Sequence, residues 1–133
     1  MESSAQRTPL NRKDTMTTMT TRRGEILVAI DSLVEFMNKA GAAHRAANFP
    51  ALKPEVFFAD GGRKYIRIAV SPAGGRSGAS VHCFVNAETG DVYKAGSWKA
   101  PALNGARYNI LDAGSLADLK AKWDPYAGYL YKR

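Results

Sequence analysis

Residues 63–70, RKYIRIAV, and 79–86, ASVHCFVN, decide the fold. Each run alternates, and successive side chains of an extended chain leave opposite faces. In the first, Ile66, Ile68 and Val70 share one face while Tyr65 and Arg67 share the other. In the second, Val81, Cys83 and Val85 oppose His82 and Phe84. β-Branched and aromatic residues with this period, punctuated by glycine-rich breaks at 60–62, 71–78 and 86–90, predict antiparallel strands joined by turns. The flanking runs bring the expected number to four, near 55–59, 63–70, 79–86 and 91–95, with Gly90 supplying a positive φ in the last turn. The aliphatic face needs a partner layer, and the opposite face gathers Tyr65, Arg67, His82 and Phe84.

The partner lies upstream. Ile26, Ile30, Leu33, Val34 and Met37 recur at three- and four-residue steps, with Glu25, Asp31, Glu35, Asn38 and Lys39 between them, which is the pattern of an amphipathic helix. Thr20 or Thr21 can cap its start. Its end is either Gly41 or the stretch before Phe49-Pro50, the second if 42–47 prolong the helix. Downstream, Ser115-Leu116-Ala117-Asp118 resembles a capping box opening a short helix through Trp123, which Pro125 stops. Tyr126, Tyr129, Leu130 and Tyr131 then form an aromatic tail, whose expected place is across the Tyr65 and Phe84 face of the sheet. The fold class expected is α+β, an N-terminal amphipathic helix packed on a small four-stranded antiparallel sheet, with a short C-terminal helix and that tail.

A chain of 133 residues is long enough for one domain with a core that needs no disulfide or metal. That domain is expected over 21–133, preceded by a flexible basic arm at 1–20 that carries Arg7, Arg12 and Lys13, with Arg22 and Arg23 at its junction with the domain. The 19 Lys and Arg against 12 Asp and Glu give a net charge of +7, which draws polyanions at low salt. Cys83 is the lone cysteine, so no intramolecular disulfide forms, and its place in an alternating apolar run suits a buried thiol in a reducing compartment. No apolar run approaches the ~18 to 20 residues of a membrane span, and the first residues lack the apolar core of a signal peptide.

The stretch 90–109, GDVYKAGSWKAPALNGARYN, sets Lys94, Lys99 and Arg107 among Tyr93, Trp98 and Tyr108 on a strand end that runs into an irregular loop. Cations interleaved with rings pair with phosphates and stack on bases together. The expected nucleic-acid-binding residues are therefore Tyr65, Arg67, Phe84 and Trp98 for stacking or packing, and Arg76, Lys94, Lys99 and Arg107 for phosphates. Trp98 either stacks on a base or anchors its loop in the core. Single strands are favoured over duplex, because no helix carries the dense basic stripe of a major-groove reader. The glycine-rich loop 73–78 lacks the Gly-Lys-Ser/Thr ending of a nucleotide-binding loop and precedes no helix, so it reads as a hairpin connection. His44, His82 and Cys83 match no metal-ligand spacing, His82 and Cys83 point to opposite faces, and the acids are scattered singly. No catalytic residue, metal or cofactor is expected, and the protein reads as a non-enzyme.

The block Gly90-Asp91-Val92-Tyr93-Lys94-Ala95, then Ser97-Trp98-Lys99-Ala100-Pro101-Ala102 and Ala106-Arg107-Tyr108-Asn109-Ile110, resembles one found in a family of small proteins encoded by tailed bacteriophages. The ending 123–130 resembles their aromatic closing segment, and Leu103-Asn104-Gly105 departs from the pattern by lacking a lysine. The resemblance brings no activity. It implies a phage product in the host bacterial cytoplasm or packed in a virion. The residues themselves make single-stranded nucleic acid the leading partner. The alternative is a virion structural or protein-interaction component, or an inhibitor of a host enzyme or defence system.

Overall fold

The computed structural model describes residues 12–131, and side chains from Arg22 onward. Helix α1 spans Arg12–Asn48, strands β1 to β5 span Val56–Asp60, Tyr65–Ser71, Ser80–Asn86, Asp91–Lys94 and Tyr108–Asn109, and helix α2 spans Ala113–Lys122. A 3-10 turn at Gly128–Leu130 follows. The strands form one antiparallel sheet in the order β1-β2-β3-β4-β5. The fold is thus α+β as expected, with five strands rather than four. The fifth is two residues long, too short for alternation to signal it, and it is held by pairing Val92 with Tyr108 and Asp91 with Asn109.

α1 begins at Arg12, earlier than the Thr20 or Thr21 cap, so 12–20 of the expected arm is helical backbone. The rest of that arm, 1–11, lies outside the described residues. The helix also runs through Gly41 to Asn48, where Phe49 N–H still bonds Arg45 O at 2.7 Å and Pro50 offers no donor to continue. Gly41 serves packing instead. A Cβ there would stand 3.1 Å from the Phe57 ring and 3.7 Å from Trp123, so any larger residue would have to push the Phe57 ring aside for the helix to lie this close to β1.

Ile26, Ile30, Leu33 and Met37 are buried against Phe57, Ile66, Ile68, Cys83, Val85 and Val92, which makes the aliphatic face of the sheet the core face. Fully burying such side chains stabilises by about 1.5–3 kcal/mol each. α1 also secures the free edge of the sheet: the Asn38 amide donates to Phe57 O at 3.0 Å and accepts from Phe57 N–H at 2.8 Å. An edge strand is thereby deprived of one of its open pairing positions.

α2 starts one turn earlier than its expected box. Asp112 is the cap, its carboxylate accepting from Ser115 N–H at 2.8 Å, while Ser115 Oγ accepts from Asn109 N–H at 2.8 Å and ties the helix to β5. Leu119 and Leu130 are fully buried in the same cluster as the α1 residues, and Trp123 packs against Phe36 of α1 and Phe57 of β1. The C-terminal segment therefore lies on the α1 side of the sheet, not across the Tyr65 and Phe84 face. The apolar spacing of 116–130 announces a buried stripe, but either face of a sheet would satisfy it.

One irregularity redirects a predicted site residue. Ile68 pairs with Cys83, but Ala69 pairs with Val81, so His82 is the extra residue of a bulge. A bulge resets the alternation, and His82 turns onto the core face, 5.3 Å from Phe57 and 5.8 Å from Trp123 between ring centres. It leaves the set formed by Tyr65, Arg67 and Phe84. The β3–β4 turn behaves as its sequence promises: Asn86 Oδ1 accepts from Glu88 and Thr89 N–H, and Gly90 has φ +81°.

Candidate nucleic-acid interface

Cross-strand partners share a face of the sheet. Asp60, Arg67, Phe84 and Tyr93 lie in one row across β1 to β4, on the face away from α1. Two loops fold over that row. From the β2–β3 loop, the Arg76 guanidinium makes two 3.0 Å hydrogen bonds to the Asp60 carboxylate. From the loop after β4, the Trp98 carbonyl accepts from Arg67 Nε at 2.7 Å while the indole covers the Arg67 guanidinium at 4.3 Å. That second loop is tight: Gly96 and Ser97 N–H both bond Ala100 O at 3.0 Å, and Ala102 N–H bonds Lys94 O at 2.8 Å.

Arg67 is thus held on every side. Besides Trp98 it donates to Asp60 at 2.8 Å and lies 5.6 Å over the Phe84 ring, with 15 % of its side chain exposed. The hydrogen bonds and charge of Arg76, followed by the charge of Arg67, hold the Asp60 carboxyl below its usual pKa against the opposing effect of burial. Phe84, at 1 % exposure, is sealed beneath this cluster. Of the residues named from sequence, Tyr65, Arg67, Phe84, Trp98 and, through Asp60, Arg76 are brought to one face, and Lys99 stands exposed beside Trp98.

Lys94 and Arg107 do not join them. Lys94 pairs with Cys83, which puts it on the core face, where its ammonium lies 4.6 Å over the Tyr131 ring. Arg107 donates to the carbonyls of Leu130 and Gly105, so it fastens the C-terminal segment to the loop before β5. Asn109 works nearby as a loop organiser, its Oδ1 accepting from Leu111 and Asp112 N–H and its Nδ2 donating to Thr89 O and Asp91.

A second cationic group, which sequence reasoning passed over, assembles where α1 meets the tip of the β1–β2 hairpin. Gly62 lets the tip close, since a Cβ there would fall on the Tyr65 carbonyl oxygen. Arg23 reaches from α1 to donate to the carbonyls of Arg63 at 3.0 Å and Gly62 at 3.4 Å. Arg23, Arg63 and Lys64 are exposed and line an open groove of about 540 Å³, opposed by Glu88 alone among the residues that line it. Beside it, Tyr65 and Tyr93 are half-buried and meet edge to face at 5.8 Å, with the Lys64 ammonium 5.6 Å from the Tyr65 ring. The Arg63-Lys64 pair after a Gly-Gly turn was the available signal, but Arg23 is 39 to 40 positions away from the carbonyls it meets.

The arrangement can hold a polyanion by charge and offer two partly exposed rings to whatever accompanies the charge. Among the described residues no group of three or more His, Cys, Asp or Glu could hold a metal ion, and no helix is long and apolar enough to cross a membrane.

Comparison with curated proteins returned no match. Comparison with solved structures returned none either. The family model described as a family of unknown function, DUF7717, matches residues 10–132, and the chain belongs to that family.

Proposed function

We propose that the protein binds single-stranded nucleic acid without catalysis, with Arg23, Arg63 and Lys64 meeting phosphates and Tyr65 and Tyr93 meeting bases. The observation that carries this reading is the convergence of three exposed cations from two distant segments on one groove beside an aromatic pair. Arg76 and Lys99 extend the positive surface over the covering loops, while Arg67 and Phe84 support it from beneath. Cys83 offers no thiol chemistry to set against this reading, since its thiol is fully buried and its pKa is pushed up to about 12, which makes it a poor nucleophile. The resemblance of 90–110 to tailed-phage proteins supports a phage-encoded product acting in the host cytoplasm.

Fluorescence anisotropy of a labelled oligothymidylate is the test. Three phosphate contacts give a log–log salt slope of about −2 for single strands. Replacing Arg63 and Lys64 together by alanine makes that slope shallower by about 1.4. Unchanged anisotropy at micromolar protein in low salt, or a slope untouched by the double substitution, overturns the reading.

A second reading is a virion or protein-contact component, in which exposed side chains such as Leu103 and Tyr131 would meet other subunits. Many copies in purified particles, counted by mass spectrometry, would support it. Absence from particles removes its virion form.

A further inference from the structure

At the other end of α1, about 30 Å from the groove at 1.5 Å per residue, the last turns of the helix, the ends of β2 and β3 and the turn after α2 enclose a cleft of about 260 Å³. Both histidines of the chain line it. His82, the bulged residue, is 3 % exposed, and its Nε2 lies 2.7 Å from Tyr129 Oη. Burial raises the Tyr129 pKa, so the phenol keeps its proton, and its oxygen has no other partner among the described residues. We assign the phenol as donor to Nε2, the arrangement that leaves no hydroxyl proton without an acceptor, which puts the proton of the neutral imidazole on Nδ1.

That Nδ1–H has no partner among the described residues, yet it is not sealed. The one sealed and unpartnered side-chain polar atom among them is Trp123 Nε1. A donor at the wall of a cleft, on a side chain this deeply buried, calls for an acceptor from outside the chain. The other walls select its shape. Phe57 stands edge-on to His82 at 5.3 Å, and Tyr126 stands edge-on to His44 at 5.7 Å with its hydroxyl 3.4 Å from His44 Nε2. Planar rings fit best among rings so placed. Charge selects too: Arg45, the cation at the cleft, is 3.6 Å from Glu55, so the pair leaves little attraction for an anion. Ala127, which also lines the cleft, is the one non-glycine among the described residues with a left-handed backbone, φ 62°, and such conformations gather at functional sites.

We propose that this cleft binds one neutral planar ring bearing a hydrogen-bond acceptor, the chemistry of a pyrimidine base. Its volume lies just below the roughly 300 to 1,000 Å³ of drug-sized sites, which limits the occupant to about a single ring. The ring packs between Phe57 and Tyr126 and accepts from His82 Nδ1–H through its carbonyl oxygen. The site is separate from the groove, and each stands or falls without the other.

Titration of the full chain with uridine and with cytidine, followed by NMR of the two imidazoles, tests it. The expected result is a saturable shift at both His82 and His44, absent with ribose or inorganic phosphate. Tyr126 is 70 % exposed, so Tyr126→Ala keeps the fold while opening the cleft, and binding weakens about tenfold. In His82→Phe the donor is gone, and the His44 signal no longer shifts. The Arg63→Ala and Lys64→Ala double variant binds the nucleosides as the parent does. No saturable shift at millimolar nucleoside, an equal response to inorganic phosphate, or unchanged affinity in a folded Tyr126→Ala protein overturns the proposal.

Discussion

The face of the sheet away from α1 and the tip of the β1–β2 hairpin carry the same residue types, arginine and lysine beside aromatic rings, but the fold uses them in opposite ways. On the face, Arg67 is enclosed by Asp60, Trp98 and Phe84, and 15 % of its side chain reaches solvent. At the tip, Arg63 and Lys64 are exposed, and neither is in an ion pair among the described residues. Composition alone ranks the first as the better binding site. Geometry reverses the order, because Arg67 is enclosed as well as bonded and has to break those bonds before it can meet a phosphate, whereas Arg23, which also donates to two carbonyls, stays exposed.

The largest expected effect breaks the comparison at Asp60. Asp60→Ala removes the partner of both Arg67 and Arg76, and Arg67 is left mostly enclosed with only the Trp98 carbonyl. Losing one partner of such a pair costs about 3 kcal/mol. Arg76→Ala, at a side chain 70 % exposed, costs under about 1 kcal/mol because solvent already screens it. Urea midpoints of the two variants check the ordering, and equal losses would mean that the enclosed cluster is no more structural than the surface.

How much of this was legible in the sequence follows the same division between local and long-range information. The helix stripe at Ile26, Ile30, Leu33 and Met37 and the alternation through Ile66 and Ile68 report burial directly, since each periodicity belongs to one element. The parity of Lys94 was also available: if Tyr93 stands opposite Phe84, the next residue must stand with Cys83. His82 could not be placed, because a bulge of one residue leaves no mark in an alternating run and reverses what lies beside it. The side of the sheet taken by Trp123 and Leu130, and the approach of Arg23 to the hairpin, depend on how separate elements meet, which local pattern does not encode.

His82 sharpens the comparison from the core face, where a titratable ring is enclosed without a counter-ion strong enough to keep it charged. Burial lowers its pKa from 6.5 to about 4, against the weaker opposing pull of Asp124, while Tyr129, Trp123 and Phe57 surround the ring without supplying charge. Unfolded chain takes up this proton as pH falls below 6.5, whereas folded chain refuses it until about 4. The stabilising contribution is therefore complete above pH 6.5 and declines toward pH 4, by roughly 3 kcal/mol for one group. Denaturant stability at pH 7 and pH 4, taken as the difference between the parent and His82→Gln, isolates it from the carboxylates. A difference that stays flat over this window would mean that the folded ring takes up its proton as readily as the unfolded chain does.

The smallest expected effect is the one that separates binding from folding. If the hairpin cations have no structural duty, Arg63→Ala with Lys64→Ala leaves stability within about 0.5 kcal/mol of the parent, as for surface positions away from caps and networks. Arg23 contacts the backbone carbonyls of Arg63 and Gly62, not the side chains replaced, so the seat of α1 on the hairpin survives the change. Thermal denaturation and the oligothymidylate salt slope, measured on the same sample, then move apart: the first stays still while the second becomes shallower. A joint fall would show that these side chains hold the hairpin as Asp60 holds the sheet, and the contrast between the two regions would vanish.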